Sequence, residues 1–501
     1  MSPGEPYALG IIACPGGEHF TDEMIPHLKR QYRKRYDQVA ERIARRYSIS
    51  KQEALRSLNM TSDLRSLKID TKNAGDSLHM PAFKIPMRYT RFPNGEFKAE
   101  ILHSIRGAHV YVVQDVENHF PLKFYNSAET YSLSVNDHVF CLFVTIDAAI
   151  QAGAESITLV LPAYPFSRQH KKKGREALTA ALFGRMLEFM GVTRIITLDI
   201  HSKEIENTFH KLRLENLHAS YQILRKLLAI IDVRDSDIVV VSPDTGAVDR
   251  NKFYADSLGK PLALLYKERD YSKVAQNARE NNITSMKLLG SVEGKTVFMA
   301  DDLIGTGGTL IKAMESLKRM GAKKIVCAIS LPLFTGEAVR HFDDAYAAGL
   351  FDVIIGTDAI YHDQELLSRP WYENASICDL FARIIVRLHH GRSLSSLLDN
   401  RQIIQRLLSQ SVPPQKSAGG PDEGAQSNGA LLSSGAPSTQ SNGAAPAKSA
   451  AQSNGALQSG ATVAPTAAVP PAAPSPPNGR SSAADAPNRR LTSKAGAADA
   501  D

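Results

Sequence analysis

The sequence has little cysteine, with four residues in a chain of 501 and no CxxC pair among them. Disulfide frameworks and cysteine zinc sites need closely spaced pairs, so this spacing disfavours both. Cys141 and Cys327 lie within apolar runs, and we expect them to be small buried side chains. This cysteine usage is typical of proteins from a reducing compartment, and we predict a cytoplasmic protein.

Long apolar runs are also lacking. No stretch approaches the roughly 18 apolar residues that a membrane-spanning helix needs, so we expect no membrane partner. Residues 1–20 have no basic residue before their short apolar run and therefore do not resemble a secretory signal. One Trp and 18 Phe disfavour a large aromatic surface for stacking bases.

Positive charge is in excess, with a net charge of +7 and a pI of about 9.0. Such a balance suits either a polyanion or pockets for phosphorylated small molecules. Residues 25–47 predict an amphipathic helix whose other face carries Lys and Arg. We interpret it as a core-packed helix with a solvated basic face, and nucleic-acid binding is the alternative. The apolar stripe consists of Ile25, Leu28, Tyr32, Tyr36, Val39, Ile43 and Tyr47.

Short β-branched runs alternate with helical patterns between about residues 108 and 385, which predicts an α/β fold with mainly parallel sheets. We predict two such domains, at 1–215 and 216–385. The first contains an insertion at about 31–84 and is completed by 386–408. The predicted strands are 110–115, 156–163, 194–200, 237–244, 262–267, 296–302, 324–330 and 352–358.

The last ninety or so residues have a different composition, dominated by Ala, Ser, Pro, Gly, Gln and Asn. The string AQSNGAL occurs at 425–431 and again at 451–457. Such a segment buries too little apolar surface to offset the entropy of ordering it. We therefore predict a disordered tail over 411–501.

Several predicted strands are followed by polar residues at their carboxyl ends. In open α/β sheets, ligands bind beyond this edge, so four such endings together indicate a site. The residues are Asp199 with His201, Asp244, Lys267 with Arg269, and Asp301 with Asp302.

The stretch DDLIGTGGTL at 301–310 combines two acids with a loop of glycines and threonines. The glycines allow successive N–H groups to surround an anion, and the following helix adds the positive end of its dipole. The acids suit hydroxyl groups or a metal beside that anion. A sugar phosphate suits both parts, since its phosphate fits the loop and its hydroxyls fit the acids. We therefore predict that the residues binding a sugar phosphate are Asp301, Asp302, Gly305, Thr306, Gly307, Gly308 and Thr309.

This stretch resembles the phosphoribosyl diphosphate loop of type I phosphoribosyltransferases. Further motifs, in order, narrow the resemblance to the ribose-phosphate diphosphokinases, also called phosphoribosyl pyrophosphate synthetases. They are RFPNGEF (91–97), YPFSRQHKKK (164–173), RIITLDIHSKEIENTF (194–209), VVVSPDTG (239–246) and LLYKERD (264–270). The resemblance implies that both domains are phosphoribosyltransferase-like.

Members of this family transfer the diphosphoryl group of MgATP to the 1-hydroxyl of ribose 5-phosphate, giving 5-phosphoribosyl 1-diphosphate and AMP. In the family the RFPNGEF loop reaches a neighbouring subunit, which implies a homo-oligomer, dimer-based and commonly a hexamer. The resemblance also assigns roles to individual residues. ATP contacts fall to Phe92, Asn94, Glu96, Arg168 and Gln169, transition-state stabilisation to Lys267 and Arg269, and Mg²⁺ binding to His201 and Asp244.

Three other hypotheses compete with an active diphosphokinase. A non-catalytic relative that regulates an active partner subunit is favoured by the long segment after Arg269, at 270–285, and by the long tail. The intact set of charged site residues disfavours it. The remaining two are a phosphoribosyltransferase using the same loop, which the additional motifs disfavour, and a nucleic-acid-binding protein.

Overall fold

The computed structural model describes residues 8–57, 82–172, 174–234, 237–269 and 283–410. All of these residues belong to one compact unit.

Three predictions fall wholly or partly outside these ranges. The tail at 411–501 does so completely, as do residues 58–81 of the predicted insertion and 270–282 of the long segment after Arg269. The proposed division of the chain near residue 215 also stays a prediction.

The strands are numbered along the chain. They are β1 (Leu9–Ala13), β2 (Met87–Arg91), β3 (Phe97–Ile101), β4 (His109–Val113), β5 (Leu122–Lys123), β6 (Thr130–Tyr131), β7 (Ser156–Val160), β8 (Arg194–Leu198), β9 (Arg213–Leu217), β10 (Ile238–Ser242), β11 (Leu262–Arg269), β12 (Ile283–Leu289), β13 (Thr296–Ile304), β14 (Lys324–Pro332), β15 (Val353–Gly356) and β16 (Tyr372–Asn374).

The helices follow the same convention, and a 3₁₀ turn spans Lys203–Thr208. They are α1 (Glu18–Tyr47), α2 (Lys51–Ser57), α3 (Val135–Gln151), α4 (Thr179–Phe189), α5 (Ser220–Ile230), α6 (Val248–Leu258), α7 (Gly308–Arg319), α8 (Ala338–Ala347), α9 (Gln364–Leu367), α10 (Cys378–His389), α11 (Ser395–Leu398) and α12 (Arg401–Gln410). In the described part of the chain, none of them is both long and apolar enough to cross a membrane.

Two large sheets form the framework. The first has the order β1-β4-β7-β8-β9, and the second has the order β12-β11-β10-β13-β14-β15-β16. Every pairing is parallel except β11 with β12. The central strands are runs of Val, Ile and Leu that are buried on both faces, as parallel sheets require.

The predicted α/β fold with mainly parallel sheets is therefore confirmed, and each of the eight predicted strands is present. Strands β1, β9, β12 and β16, all members of the two sheets, were not predicted. All four are the terminal strands of their sheets. Polar residues weaken the apolar pattern of β9 (RLENL) and β16 (YEN). Strand β1 (LGIIA) is apolar and fully buried, and Ile11 also bonds Phe83 O at 2.8 Å and Ile85 N at 2.7 Å on its outer side.

The predicted basic amphipathic helix is α1, and it packs on α10. Phe20 of α1 meets Phe381 edge-on, with ring centroids 5.2 Å apart. The predicted stripe is buried as far as Tyr36, but Ala40 then replaces Val39 as the buried residue and Tyr47 is 63% exposed. The core-packing interpretation is thus correct for the first five turns, and the end of the stripe was predicted wrongly.

The two sheets meet at the carboxyl ends of β8 and β14. Asp199, just after β8, is buried, and its Oδ2 accepts a hydrogen bond of 2.6 Å from Ser330 Oγ on β14. The carboxyl edges of both sheets therefore lie near each other, which places the loops that follow these strands around a shared region, where α/β sheets generally bind ligands.

Asn251, on α6, completes the hydrogen bonding of β13 next to the paired acids. Strand β10 pairs with β13 as far as Phe298 and no further. Beyond it, the buried Asn251 side chain donates to Ala300 O at 2.8 Å and accepts from Ala300 N at 2.8 Å. Its amide also donates to Ala247 O at 2.9 Å. The side chain therefore takes the place of a missing strand partner.

We predict that Asn251→Ala lowers the free energy of unfolding by about 3 kcal/mol, because buried polar groups of Ala300 lose their partner. Urea unfolding followed by circular dichroism measures the change. The control is Lys252→Ala on the same helix, which removes an exposed ion pair with Asp256 and should cost less than about 1 kcal/mol. Equal unfolding midpoints for the two variants would contradict the assignment.

Candidate active site

The paired acids lie inside β13, which continues two residues beyond them to Ile304. The sequence prediction ended this strand at Asp302, so its carboxyl end was placed slightly too early. Asp302 is buried and Asp301 is half-buried. The Asp302 N–H donates to Asp301 Oδ1 at 2.9 Å, which fixes the first carboxylate against the backbone.

His201 and Asp302, from different sheets, form an ion pair. Their Nδ1 and Oδ2 atoms are 2.5 Å apart. The hydrogen bond to Asp302 raises the pKa of His201. Burial raises the pKa of Asp302, but the bond to His201 and the charge of Arg250 outweigh it and hold that pKa below its usual value. The structure thus brings together two site residues that lie 101 positions apart.

A second group of carboxylates surrounds Asp301. Burial, Asp302 and then Asp244 raise the pKa of Asp301 to about 7. Asp244 follows β10, and its Oδ1 accepts from the N–H groups of Gly246 at 2.9 Å and Ala247 at 3.1 Å. Neighbouring acids of this kind favour the approach of a cation or of hydroxyl donors, both of which relieve the repulsion.

Arg250 is a residue of the candidate site that the sequence did not reveal. Its Nη1 lies 3.4 Å from Asp199 Oδ1, and its charge also acts on Asp301 and Asp302. Nothing in its own helical segment marks it, because its partners come from distant strands. It balances part of the negative charge that the site buries.

Asp199 has a supporting role behind the site. It adopts a φ of 39° and accepts hydrogen bonds from His218 Nδ1 at 2.8 Å and from the Ala219 N–H at 3.1 Å. Together with the bond from Ser330, these contacts hold the turn that leads to His201. The polar end of β8 therefore contains one residue for the framework and one for the site.

The glycine loop follows β13 as predicted, and α7 begins at Gly308. Gly307 has a φ of 77°, and no side chain caps the first turn of the helix. Thr306 and Thr309 are exposed. The loop and the helix amino terminus therefore present N–H and hydroxyl donors to solvent, an arrangement that suits phosphate.

Arg168 lies beside this loop. A Cβ built on Gly305 would come within 3.3 Å of Arg168 Nη2, and the Arg168 charge acts on His201. The neighbouring Gln169 is exposed, and its N–H donates to Phe166 O at 2.8 Å. Arg168 thus joins the predicted sugar-phosphate residues, which makes a continuous surface of donors.

The other predicted ATP residues occupy the turn of the β2–β3 hairpin. Phe92 N–H donates to Glu96 O at 2.8 Å, and Asn94 Oδ1 accepts from Glu96 N at 3.2 Å. Within the described residues, the hydrogen bonds of this turn are local and do not reach the paired acids. Phe92 is 40% exposed, so an apolar ring is available at the surface.

Lys267 and Arg269 end β11, where they pair with Met286 and Ile283 of β12. Their side chains lie outside the described residues.

The donor set fits magnesium bound together with a phosphorylated ligand. Among the described residues, no three His, Cys, Asp or Glu side chains are arranged to hold a metal by themselves. Mg²⁺ prefers oxygen donors and usually takes only one or two carboxylates, with water and substrate phosphates completing its shell. The Asp244 carboxylate, near the glycine loop, provides one such oxygen donor.

Two family models match the chain, and each match includes residues of the candidate site. The N-terminal domain of ribose phosphate pyrophosphokinase matches residues 71–191, and the phosphoribosyl transferase domain matches residues 210–365.

This chain matches most of the length of its named relatives. Ribose-phosphate pyrophosphokinase 2 of Enterococcus faecalis is 32% identical over 315 residues, which is 62% of this chain and 88% of that protein. Ribose-phosphate pyrophosphokinase 1 of Listeria innocua is 34% identical over 314 residues, with the same coverage of both chains. The chain belongs to the ribose-phosphate pyrophosphokinase family. The family resemblance predicted from the sequence is confirmed, and with it an enzyme of the diphosphotransferase type.

The fold of the family is also found in a solved structure. The phosphoribosylpyrophosphate synthetase from Mycobacterium smegmatis superposes with a TM-score of 0.54 at 24% identity, covering 77% of this chain and 99% of that one. The solved structure and this chain thus share the same sheet framework.

The conformation of the glycine loop depends on Gly307. A side chain there would need a left-handed φ and would overlap the ring of the buried Phe342. We predict that Gly307→Ala lowers the free energy of unfolding by about 2 kcal/mol, through backbone strain and overpacking. Thermal unfolding of the purified chain measures the change.

Gly308→Ala is the matched control, because a Cβ at Gly308 meets no atom within 4 Å. At the start of a helix, alanine in place of glycine should be neutral or slightly stabilising. A melting temperature that falls equally in both variants would show that the loop has no special requirement at Gly307.

Proposed function

We propose that this chain transfers the diphosphoryl group of MgATP to the 1-hydroxyl of ribose 5-phosphate, releasing 5-phosphoribosyl 1-diphosphate and AMP. The proposal is carried by the contact between His201 and Asp302, which joins the polar edges of the two sheets beside a glycine loop. A phosphate site, a diol site and a cation site thereby become neighbours.

Ribose 5-phosphate fits the β13–α7 segment. Its 5-phosphate would accept hydrogen bonds from the N–H groups of Gly305–Thr309 and from the hydroxyls of Thr306 and Thr309. Helix α7 adds the positive end of its dipole. The ribose hydroxyls would donate hydrogen bonds to the Asp301 and Asp302 carboxylates. These carboxylates would not occupy the N–H and hydroxyl donors that hold the phosphate.

His201 and Asp244 are the proposed magnesium ligands. Because His201 Nδ1 is engaged by Asp302, the ring would face the metal or its water through Nε2, which would have to lose its proton when the metal binds. Asp244 Oδ1 already accepts two N–H groups, which fix the carboxylate in place. When bound, magnesium would neutralise charge on the triphosphate and orient it for attack.

Arg168 and Gln169 are the proposed contacts for ATP on this subunit. Arg168 lies next to the sugar-phosphate loop, so its cation would be well placed to hold the phosphates close to the 1-hydroxyl. Lys267 and Arg269 would supply further positive charge to the transferring group, since phosphoryl transfer depends on positioning and charge stabilisation.

Phe92, Asn94 and Glu96 would contact the adenine. Since their turn makes only local hydrogen bonds in the described chain, we propose that it serves a neighbouring subunit, which requires a homo-oligomer built from dimers. A cytoplasmic location, where ATP and sugar phosphates are available, is part of the same proposal.

The first test is AMP release from the purified full chain with MgATP, with and without ribose 5-phosphate. We expect AMP to form only with the sugar phosphate. Lys267→Ala should lower kcat by at least about 100-fold, as loss of a group that stabilises the transition state does. Lys252→Ala, at an exposed position on α6, is the matched control and should keep full activity.

AMP release without ribose 5-phosphate would contradict the proposed acceptor. No AMP release at all, from a folded chain that still binds ATP, would favour a non-catalytic subunit that regulates an active partner. In that case, adding the chain to an active relative and measuring the change in the relative's rate would decide between them.

Magnesium dependence provides a separate prediction. Removing divalent cations with EDTA should abolish AMP formation, and Mg²⁺ in excess should restore it. Asp244→Asn should raise the Mg²⁺ concentration needed for half-maximal rate by about tenfold or more, because a carboxylate donor is lost. Asp344→Asn, at an exposed position on α8, should leave that concentration unchanged. Equal requirements in both variants would remove Asp244 from the metal site.

A further inference from the structure

The β2–β3 hairpin is isolated from both large sheets. It forms a two-stranded sheet of its own, and such a hairpin is only marginally stable unless other elements pack on it. One contact is with α3, where Thr145 Oγ1 donates to Tyr89 OH at 3.3 Å. The other is with the segment 121–131, which contains the small β5–β6 hairpin.

The segment 121–131 closes the open edge of β2. Alternate residues of an edge strand point their backbone groups outward, and here those residues are Tyr89 and Arg91. The Tyr125 N–H donates to Tyr89 O at 3.1 Å. Asn126 Nδ2 donates to Arg91 O at 2.8 Å, and Asn126 Oδ1 accepts from Arg91 N at 3.2 Å. The Asn126 amide thus acts as a substitute for a third strand.

Side chains strengthen the same contact. The guanidinium of Arg88 lies 4.4 Å from the centre of the Tyr125 ring, and that of Arg91 lies 4.5 Å from the centre of the Tyr131 ring. Phe97 of β3 packs on Phe124, with ring centroids 5.7 Å apart. Each end of the hairpin is therefore held by a cation–π or aromatic contact as well as by backbone hydrogen bonds.

The segment is itself fixed to the framework. Ser134, three residues after Tyr131, caps α3. Ser134 Oγ accepts a hydrogen bond from the Asp137 N–H at 3.2 Å, and Asp137 Oδ2 accepts one from the Ser134 N–H at 2.9 Å. This reciprocal cap defines where the helix starts and where the preceding chain must lie. The position of the β2–β3 turn is thereby tied to α3.

We propose that segment 121–131 is a brace that positions the turn Phe92–Glu96 for ATP, with Asn126 as its main positioning residue. The inference rests on the proposed role of that turn in binding adenine. Arg91 is bonded to the brace immediately before Phe92, so the brace sets the direction in which the Phe92 ring leaves the hairpin. Loss of the brace should weaken ATP binding while leaving the sugar-phosphate loop unaffected.

The test compares Asn126→Ala with the unaltered full chain in two measurements. In the AMP assay, the KM for ATP should rise about fivefold, the equivalent of one or two lost hydrogen bonds, while the KM for ribose 5-phosphate stays constant. In hydrogen–deuterium exchange, amides of residues 87–101 should exchange about fivefold faster. Asn126→Asp, which replaces the donor to Arg91 O by a charged acceptor, should likewise raise the KM for ATP and speed up exchange at residues 87–101.

Lys123→Ala is the matched control, since this exposed side chain on the same segment makes none of these contacts. It should leave both KM values and the exchange rates unchanged. The brace is overturned if residues 87–101 exchange at the unaltered rate in Asn126→Ala, or if both KM values rise together, as general destabilisation would cause. If the unaltered chain releases no AMP, the proposed reaction fails, and the exchange measurement alone decides whether the brace exists.

Discussion

Negative charge buried where two parallel sheets meet is the constraint on which this structure depends. Asp199 and Asp302 are both buried, and an unpaired carboxylate in such a position would be strongly destabilising. Each therefore has a cation from elsewhere in the fold, Arg250 for Asp199 and His201 for Asp302. The pairs that stabilise the charges also fix the relative position of the sheets, so that the ligand-binding edge is formed by the same contacts that hold the framework.

Asp301 has no ion pair of its own within the described residues, although the charge of Arg250 acts on it. Burial, the adjacent Asp302 and the more distant Asp244 raise its pKa. The described side chains thus leave negative charge at the point where a metal or a sugar hydroxyl would bind. On the other side of the same loop, Arg168 and the amino terminus of α7 provide an excess of donors. A ligand with a phosphate at one end and hydroxyls at the other satisfies both regions at once.

The sequence alone predicts much of this arrangement, because strand runs and the residues that follow them are local features. The eight predicted strands and the placement of Gly308 at the start of α7 are examples. Arg250 and Asn251 could not be predicted in this way, since their partners lie on strands that are distant along the chain. Strands β9 and β16 were not predicted because polar residues interrupt their apolar pattern. The stripe of α1 was extended too far because helical periodicity does not reveal where the neighbouring helix ends.

The same distinction explains why the segment 121–131 escaped notice. Its sequence, PLKFYNSAETY, has neither a long apolar run nor a glycine-rich turn, and its function follows only from where Asn126 and the aromatic rings lie relative to β2. Within the described residues, an asparagine amide replaces a strand partner at Asn126 beside Arg91 and at Asn251 beside Ala300. In both places the amide bonds to the side of the strand that has no strand partner at that residue, next to proposed site residues. Side-chain amides there extend the ordered backbone without adding a strand that would cover the site.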